Sequence, residues 1–315
     1  MRNDIKRSRI LGGLGDGGVV LVQQKLVDRP PKPSIEKMEG ELRDGRRAPV
    51  WLFELLGHTR RMILPPVSVG CQLRKCGEAR GWRTGCKFCA IGRIPFERYL
   101  EPEEILGFIR LALERGQLAE QYWTGREKNL VVFFSSAGEP LLCYDSVAKT
   151  IRRLKVIFGD NLYVSISTAG IAGGIRRLFE DNLRVQLRLS LHFSTDERRR
   201  EFMPVPIRDD IKRLLDLGVA YSRKSKIPLM VKYVLIEGIN DSDGHAQMLA
   251  ERLKPYKEHI WVRVSRLNRY GGELRAPTKE RRRRFVAVLR QKRYRVVRIH
   301  HDFATLGCDV PHFAE

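Results

Sequence analysis

Long apolar runs are absent from this chain. Its 315 residues contain no stretch of eighteen consecutive apolar side chains, and the first residues form no apolar signal core. That argues against a membrane span and a secretory leader, so a soluble, cytoplasmic protein with no membrane partner is expected. Cysteine is scarce as well: there are six, four of them between Cys71 and Cys89. So few in so long a chain exclude a secreted disulfide scaffold and favour a reducing compartment with a bound metal. No repeat of fixed period and no low-complexity segment is present. The last shortage is of acid. Asp and Glu number 37 against 59 Lys and Arg, for a net charge of +22 and a pI near 10.1. Residues 251–300 hold 17 basic and 4 acidic side chains. A positive field of this size favours polyanions, RNA or DNA first, although Arg281 to Arg284 also suit a solvated helix face.

The rest reads as a globular α/β protein. The apolar fraction is 43%, and the length suits one large barrel or two ordinary domains. Residues 1–60 form a β-rich N-terminal extension, with short strands at Val19–Val22 and Val50–Phe53 and a turn at Asp44-Gly45. Gly12-Gly13, Gly17-Gly18 and Pro30-Pro31 read as turns and linkers. Across residues 61–300, β-branched and aromatic runs mark strands at Ile63–Val69, Leu130–Phe134, Leu162–Ser167, Val185–Leu191, Leu229–Leu235 and Ile260–Val264. Amphipathic stretches between them mark helices at Ile105–Glu114, Val147–Ile157, Ile175–Glu180, Ile211–Ala220, Ala246–Leu253 and Lys279–Arg290. Strand–helix units in series predict parallel strands with right-handed crossovers, and Tyr294–Ile299 is a further possible strand. Residues 301–315 form a C-terminal tail.

In such a fold the residues just after each strand gather at one face, where ligands bind. Those positions carry Ser135 to Pro140, Ser167 to Gly170, Ser190-Leu191-His192 and, past the sixth strand, Asn268. Small hydroxyls, one carboxylate (Glu139), one imidazole and one amide suit a polar organic ligand with an amine and a ribose. After the first strand come the cysteines, spaced C-x4-C-x9-C-x2-C. Cys86 and Cys89 can grip one metal or cluster from a single tight loop, with Phe88 packed over it to keep water off. On this segment alone a closed zinc site and an iron–sulfur cluster both fit.

The cysteine loop followed by Ala90-Ile91-Gly92-Arg93, then Gly138-Glu139-Pro140-Leu141-Leu142, resembles a radical S-adenosylmethionine (SAM) enzyme. More narrowly, the chain resembles the RNA adenine methyltransferases of the RlmN/Cfr type from about Asp44 to Cys308. The resemblance includes Ser167-Thr168-Ala169-Gly170-Ile171, Ser190-Leu191-His192, Phe202-Met203-Pro204, Tyr233 through Ser242, and Asn268. It implies a partial (β/α)6 TIM-like radical SAM barrel. It also implies a [4Fe-4S] cluster on three cysteines, with one iron left for the amino and carboxylate groups of SAM. Gly138 and Glu139 would meet the methionine amino group, and Ser167, Ser190, Leu191, His192 and Asn268 the ribose, carboxylate or adenine. One electron into the sulfonium would release a 5′-deoxyadenosyl radical that abstracts hydrogen. The implied partners are RNA (tRNA or rRNA) and a one-electron donor such as flavodoxin or ferredoxin.

Three departures from the family stand out. Its cysteine loop is C-x3-C-x2-C, whereas here residues are inserted. Cys71 stands where the first ligand belongs, at the strand end, while Cys76-x9-Cys86-x2-Cys89 matches the spacing of the catalytic subunit of Elongator, another radical SAM enzyme acting on tRNA. The family's methyl-carrying cysteine corresponds to Cys308, displaced by about one residue, but Leu64 occupies the place of its second thiol. Pro49 falls where the family has a glutamate base, and Glu54 nearby is out of register. A missing thiol and a missing base leave the reaction open. Radical chemistry on a peptide or small molecule, and a zinc-stapled RNA-binding protein, are the alternatives. Cys143 reads as packing, with a second catalytic thiol as the lesser reading. Trp51, Trp82 and Trp123 are base-stacking candidates if exposed, and His300-His301-Asp302 is a weak metal motif.

Overall fold

In the computed structural model, which describes residues 2–28, 34–54, 60–115, 129–205, 209–268 and 272–297, the apolar runs named above become strands separated by helices. The chain divides into two units. One comprises Met1–Cys71 and Phe96–Ile166, the other Gln72–Pro95 and Ser167–Glu315.

The first unit opens with helix α1 (Arg2–Leu14), followed by β1 (Val20–Asp28), β2 (Ser34–Glu41), β3 (Arg47–Glu54) and β4 (Arg60–Leu64). Strands β1 to β4 pair antiparallel in chain order. The sense then changes: β4 pairs parallel with β7 (Asn129–Phe134), and β7 with β8 (Leu162–Thr168) over Leu162 to Ile166. Between them come a short ribbon of β5 (Ser68–Val69) and β6 (Arg98–Tyr99), helix α3 (Pro102–Arg115) and helix α4 (Tyr144–Phe158). Met38, Val50, Phe53, Ile63, Phe108, Val132 and Phe134 are buried here. The Asp44-Gly45 turn forms as expected: Gly45 N–H donates to the Leu42 carbonyl at 2.9 Å, with Gly45 at φ 78°. Asp44 also accepts from Arg98, which reaches Glu104 through both terminal nitrogens. These bonds hold the Asp44 carboxyl well below the usual carboxylate range.

The second unit contains helix α2 (Gln72–Glu78), the cysteine loop, and parallel strands β9 (Gln186–Ser190), β10 (Leu229–Leu235) and β11 (Ile260–Arg266). Helices α5 (Ala172–Glu180), α6 (Asp196–Phe202), α7 (Ile211–Ser225), α8 (Asp243–Leu253) and α9 (Lys279–Gln291) alternate with these strands. Side-chain caps start several of them: Asp210 accepts from Arg213 N–H, Thr278 from Arg281 N–H, and Ser242 and His245 form a reciprocal capping box. All seven residues of β10 are buried, as a strand flanked on both sides requires. Val296 bridges parallel to Val262, so the expected closing strand is represented by a single bridge within the described residues. Among the described residues the strands close on themselves in neither unit.

Some elements differ from expectation. The run Ile63–Val69 is not one strand, because Pro65-Pro66 supply no N–H for a ladder and separate β4 from β5. Gly12-Gly13 lie inside α1 rather than in a linker. Burial of Ile10, Leu11 and Leu14 holds that helix, and Arg153 of α4 donates to the Gly13 carbonyl at 3.2 Å, so tertiary contact overrides glycine's poor helix propensity. Strands β2 and β6 and helices α1, α2 and α6 were not anticipated. Among the described residues no helix is long and apolar enough to cross a membrane.

Candidate active site

Within the first unit, the strand leading to Cys71 and the turn carrying Glu139 are neighbours. Val67 N–H donates to the Ala137 carbonyl at 2.9 Å. Ser68 Oγ donates to the Gly70 carbonyl at 2.8 Å, and Gly70, at φ 71°, turns the chain into the buried Cys71. Gly138 sits at φ 98°, a conformation that favours glycine. Glu139 is buried and takes the Leu141 N–H at 3.1 Å on one oxygen, so it caps its own turn as well as offering a carboxylate. Ser136 Oγ is buried without a hydrogen-bond partner among the described residues. Cys143 lies 3.6–3.8 Å from the carbonyl oxygens of Val67, Glu139 and Pro140. Burial first, then the Glu139 charge, pushes its thiol well above the usual range, which supports the packing role and not a nucleophile.

The cysteine loop belongs to the second unit. Cys76 is exposed on α2, Cys86 is buried and Cys89 is half-buried. Cys89 N–H donates to the Cys86 carbonyl at 3.0 Å, closing the tight turn expected of C-x2-C. Glycines let the backbone crowd here: Gly85 N–H reaches the Gly92 carbonyl at 2.7 Å, and a Cβ on Gly77 would lie 1.9 Å from the Thr84 carbonyl oxygen. Buried thiols on a tight turn suit thiolate ligation of iron–sulfur or zinc. Among the described residues, however, no three His, Cys, Asp or Glu side chains converge on one metal position. The donor set therefore rests on its chemistry and not on a formed cage.

Phe88 points inward from this turn and meets His192 edge-on, ring centroids 5.2 Å apart. His192 holds a left-handed backbone at φ 62°. Its N–H donates to the Lys232 carbonyl at 3.2 Å, and its own carbonyl accepts from Asn240 Nδ2 at 2.8 Å. The imidazole Nδ1 accepts the Val234 N–H at 3.1 Å. Burial, and then the charges of Lys232 and Arg199, hold its pKa well below the ordinary histidine value. The ring is therefore neutral, with its proton on Nε2. One ring nitrogen therefore serves the fold, accepting from the Val234 backbone.

Ser167 and Ser190 are buried close by in the same unit. Ser167 Oγ lies 3.3 Å from Lys232 Nζ, and Lys232 stands opposite Ser190 on β9 and Arg263 on β11. Register partners in parallel strands share a face, so Ser190, Lys232 and Arg263 form a row. No residue of β9, β10 or β11 is acidic. Sequence reasoning missed Lys232, although a lone cation inside the apolar run Leu229–Leu235 is a visible signal. Asn268 Nδ2 is buried with no hydrogen-bond partner among the described residues. Nearby, the buried Arg199 donates to the Ala169 carbonyl, fixing the Thr168-Ala169-Gly170 turn. Of the remaining candidates, Leu64 is a buried wall residue paired with Trp51, and Pro49 lies on β3 opposite Glu39. Neither can offer a thiol or a base. Trp51 is buried, which removes it as a base-stacking surface, whereas Trp82 is partly exposed. Cys308, Trp123 and His300-His301-Asp302 lie outside the described residues.

No protein-family model matches the chain. The chain is 34% identical over 224 residues to a probable dual-specificity RNA methyltransferase RlmN of Dictyoglomus turgidum, covering 70% of this chain and 59% of that protein. It is 30% identical over 263 residues to the ribosomal RNA large subunit methyltransferase N of Nitrosopumilus maritimus, covering 80% and 68%. It thus spans about three fifths to two thirds of these relatives' length. A crystal structure of a radical SAM methyltransferase from Sphaerobacter thermophilus superposes with a TM-score of 0.75 at 26% identity, covering 89% of this chain and 76% of that one. Sequence and fold agree: the chain belongs to the RlmN family of radical SAM methyltransferases.

Proposed function

We propose that this protein is a [4Fe-4S]-dependent radical SAM enzyme that modifies RNA, tRNA or rRNA, by methylation or a related hydrogen abstraction. Within the second unit one observation carries the reading. The cysteine turn packs Phe88 against a neutral, oriented His192, and the unmatched Asn268 amide belongs to the same motif set. On this reading His192 and Asn268 would be donors to the ligand.

Cys86 and Cys89 would hold the cluster together with Cys71, which is buried directly at a strand end, while the exposed Cys76 is the alternative third ligand. When bound, the reduced cluster supplies the single electron that SAM cleavage needs, delivered by a donor such as flavodoxin or ferredoxin. The chain's own residues bind and orient SAM. Gly138 and Glu139 would take the amino group; Ser167, Ser190, Leu191, His192 and Asn268 would line the ribose, carboxylate or adenine, and Lys232, beside Ser167, would add a cation for the carboxylate. Phe88 and the buried walls keep water from the reacting atoms. On this reading residues 61–300 are the catalytic barrel, residues 1–60 an extension, and residues 301–315 a tail presenting Cys308 as the methyl carrier. Leu64 and Pro49 stand where the family's second thiol and base belong, so any methylation runs without those two groups.

The test is anaerobic turnover with methyl-labelled SAM, a dithionite-reduced enzyme and total tRNA or rRNA. The expected products are 5′-deoxyadenosine, S-adenosylhomocysteine and labelled RNA, with the label lost in Cys308→Ala. Deoxyadenosine with no label in either RNA would overturn the RNA-methylation reading and leave a radical enzyme with a peptide or small-molecule substrate.

A further inference from the structure

The segment between Cys76 and Cys86 lengthens the cysteine loop beyond the spacing the family shows, and its architecture is that of a platform. Arg80 N–H and Trp82 N–H both donate to the Gly77 carbonyl, at 2.8 and 3.0 Å. The Arg80 guanidinium donates to the Val205 carbonyl at 2.6 Å and to the Arg200 carbonyl at 3.2 Å. Lys87 N–H donates to the Phe202 carbonyl at 2.9 Å. The segment is therefore tied to the end of α6 from both of its sides. Gly77 cannot be replaced without displacing the Thr84 backbone, which a Cβ would approach to 1.9 Å.

On this frame lies a partly exposed indole with cations over its ring. Lys87 Nζ is 4.5 Å from the Trp82 ring centroid and the Arg80 guanidinium carbon 5.6 Å. Arg83, next to Trp82, is exposed. From Ala79 to Phe96 there are four basic residues and no acidic one. An indole with a flexible lysine over its ring can exchange the ammonium for an unstacked base, the displaced cation then meeting a neighbouring phosphate. A duplex, whose bases are stacked inside, offers no base to such a face. The turn also carries Cys86 and Cys89, so a nucleic acid held here lies beside the residues that would bind the cluster.

We infer that residues 79–87 form a docking platform for single-stranded RNA, with Trp82 stacking on a base and Arg83 and Lys87 contacting phosphates. This rests on the RNA-modifying function proposed above and names the surface that grips the substrate strand. It also explains why Trp82, unlike Trp51, is left at the surface.

The experiment uses the full-length, cluster-reconstituted protein and a fluorescein-labelled single-stranded RNA 12-mer, with the same strand annealed to its complement as the duplex probe. Iron and sulfide content and melting temperature are matched across variants before binding is read. Wild-type protein binds the single strand more tightly than the duplex. Trp82→Ala weakens single-strand binding roughly tenfold, Trp82→Phe restores most of it, and duplex binding changes little. Arg83→Ala and Lys87→Ala, which leave the indole in place, each reduce the slope of log affinity against log salt by about 0.7. Single-strand binding by wild type that is unchanged in Trp82→Ala, Arg83→Ala and Lys87→Ala overturns the platform while leaving RNA modification intact. Wild-type protein that binds neither probe at low salt overturns both.

Discussion

Among the described residues each unit buries one charged side chain in its sheet, and the two differ in kind. In the antiparallel part of the first unit, Glu36 on β2 is fully buried and meets Gln24 Nε2 of the neighbouring strand. Gln24 in turn donates to the Arg115 carbonyl at 3.1 Å. The partner of that carboxylate is thus a neutral amide on the next strand, far from the polar strand ends, and its second oxygen is buried with no hydrogen-bond partner among the described residues. In the parallel strands of the second unit, Lys232 is 1% exposed and sits among Ser167, Ser190 and the neutral His192. A buried charge earns functional suspicion when its surroundings are the polar ends of parallel strands, and not merely because it is buried.

Substitutions can break this contrast. Lys232→Met removes the charge and keeps most of the volume. We expect SAM affinity, measured by equilibrium dialysis, to fall about 30-fold, the scale of a charge-assisted hydrogen bond worth roughly 2 kcal/mol. Glu36→Gln should leave SAM affinity within about twofold, and a large loss there would erase the distinction between the two charges. Gly170→Ala acts through the backbone. Gly170 lies at φ 97°, and a Cβ would come within 2.6 Å of Leu214. A loss of about 2 kcal/mol in denaturant unfolding is expected.

His192 sharpens the comparison through pH. Its folded pKa lies well below the ordinary value, so the unfolded chain binds a proton that the folded one refuses. The associated stability is complete above the unfolded pKa near 6.5 and is lost as pH falls from there toward the folded pKa. Between pH 6.5 and 5.5 the loss approaches about 1 kcal/mol in the wild type, and denaturant midpoints for His192→Gln should fall by less over that window. His245, also lowered, chiefly by burial, keeps the slope from vanishing. The smallest effect is that of Cys143→Ala, about 1 kcal/mol in stability with SAM cleavage retained.

The same contrast explains what the sequence revealed. Strands β7 to β11 and helices α3 to α9, except α6, were legible because long apolar runs and amphipathic stretches alternate, and Leu229–Leu235 matches β10 end to end. The N-terminal region was legible only in β1, β3 and the Asp44-Gly45 turn, since α1 runs through Gly12-Gly13 on tertiary contacts that no local propensity reports. The motifs located the turns at Gly138, Gly170 and His192, where positive φ gives each residue a specific reason. Lys232 escaped because only the register across β9, β10 and β11 shows what it faces. Trp51 and Trp82 were alike in sequence, and burial alone separates them.

Reductive cleavage of SAM tests the central claim most directly. Anaerobically reconstituted protein, reduced with dithionite, should hold about four iron and four sulfide per chain and yield 5′-deoxyadenosine, with no product from Cys86→Ala. Zinc in place of iron and sulfide, with no deoxyadenosine from the wild type, or deoxyadenosine formed undiminished by Cys86→Ala, would contradict it.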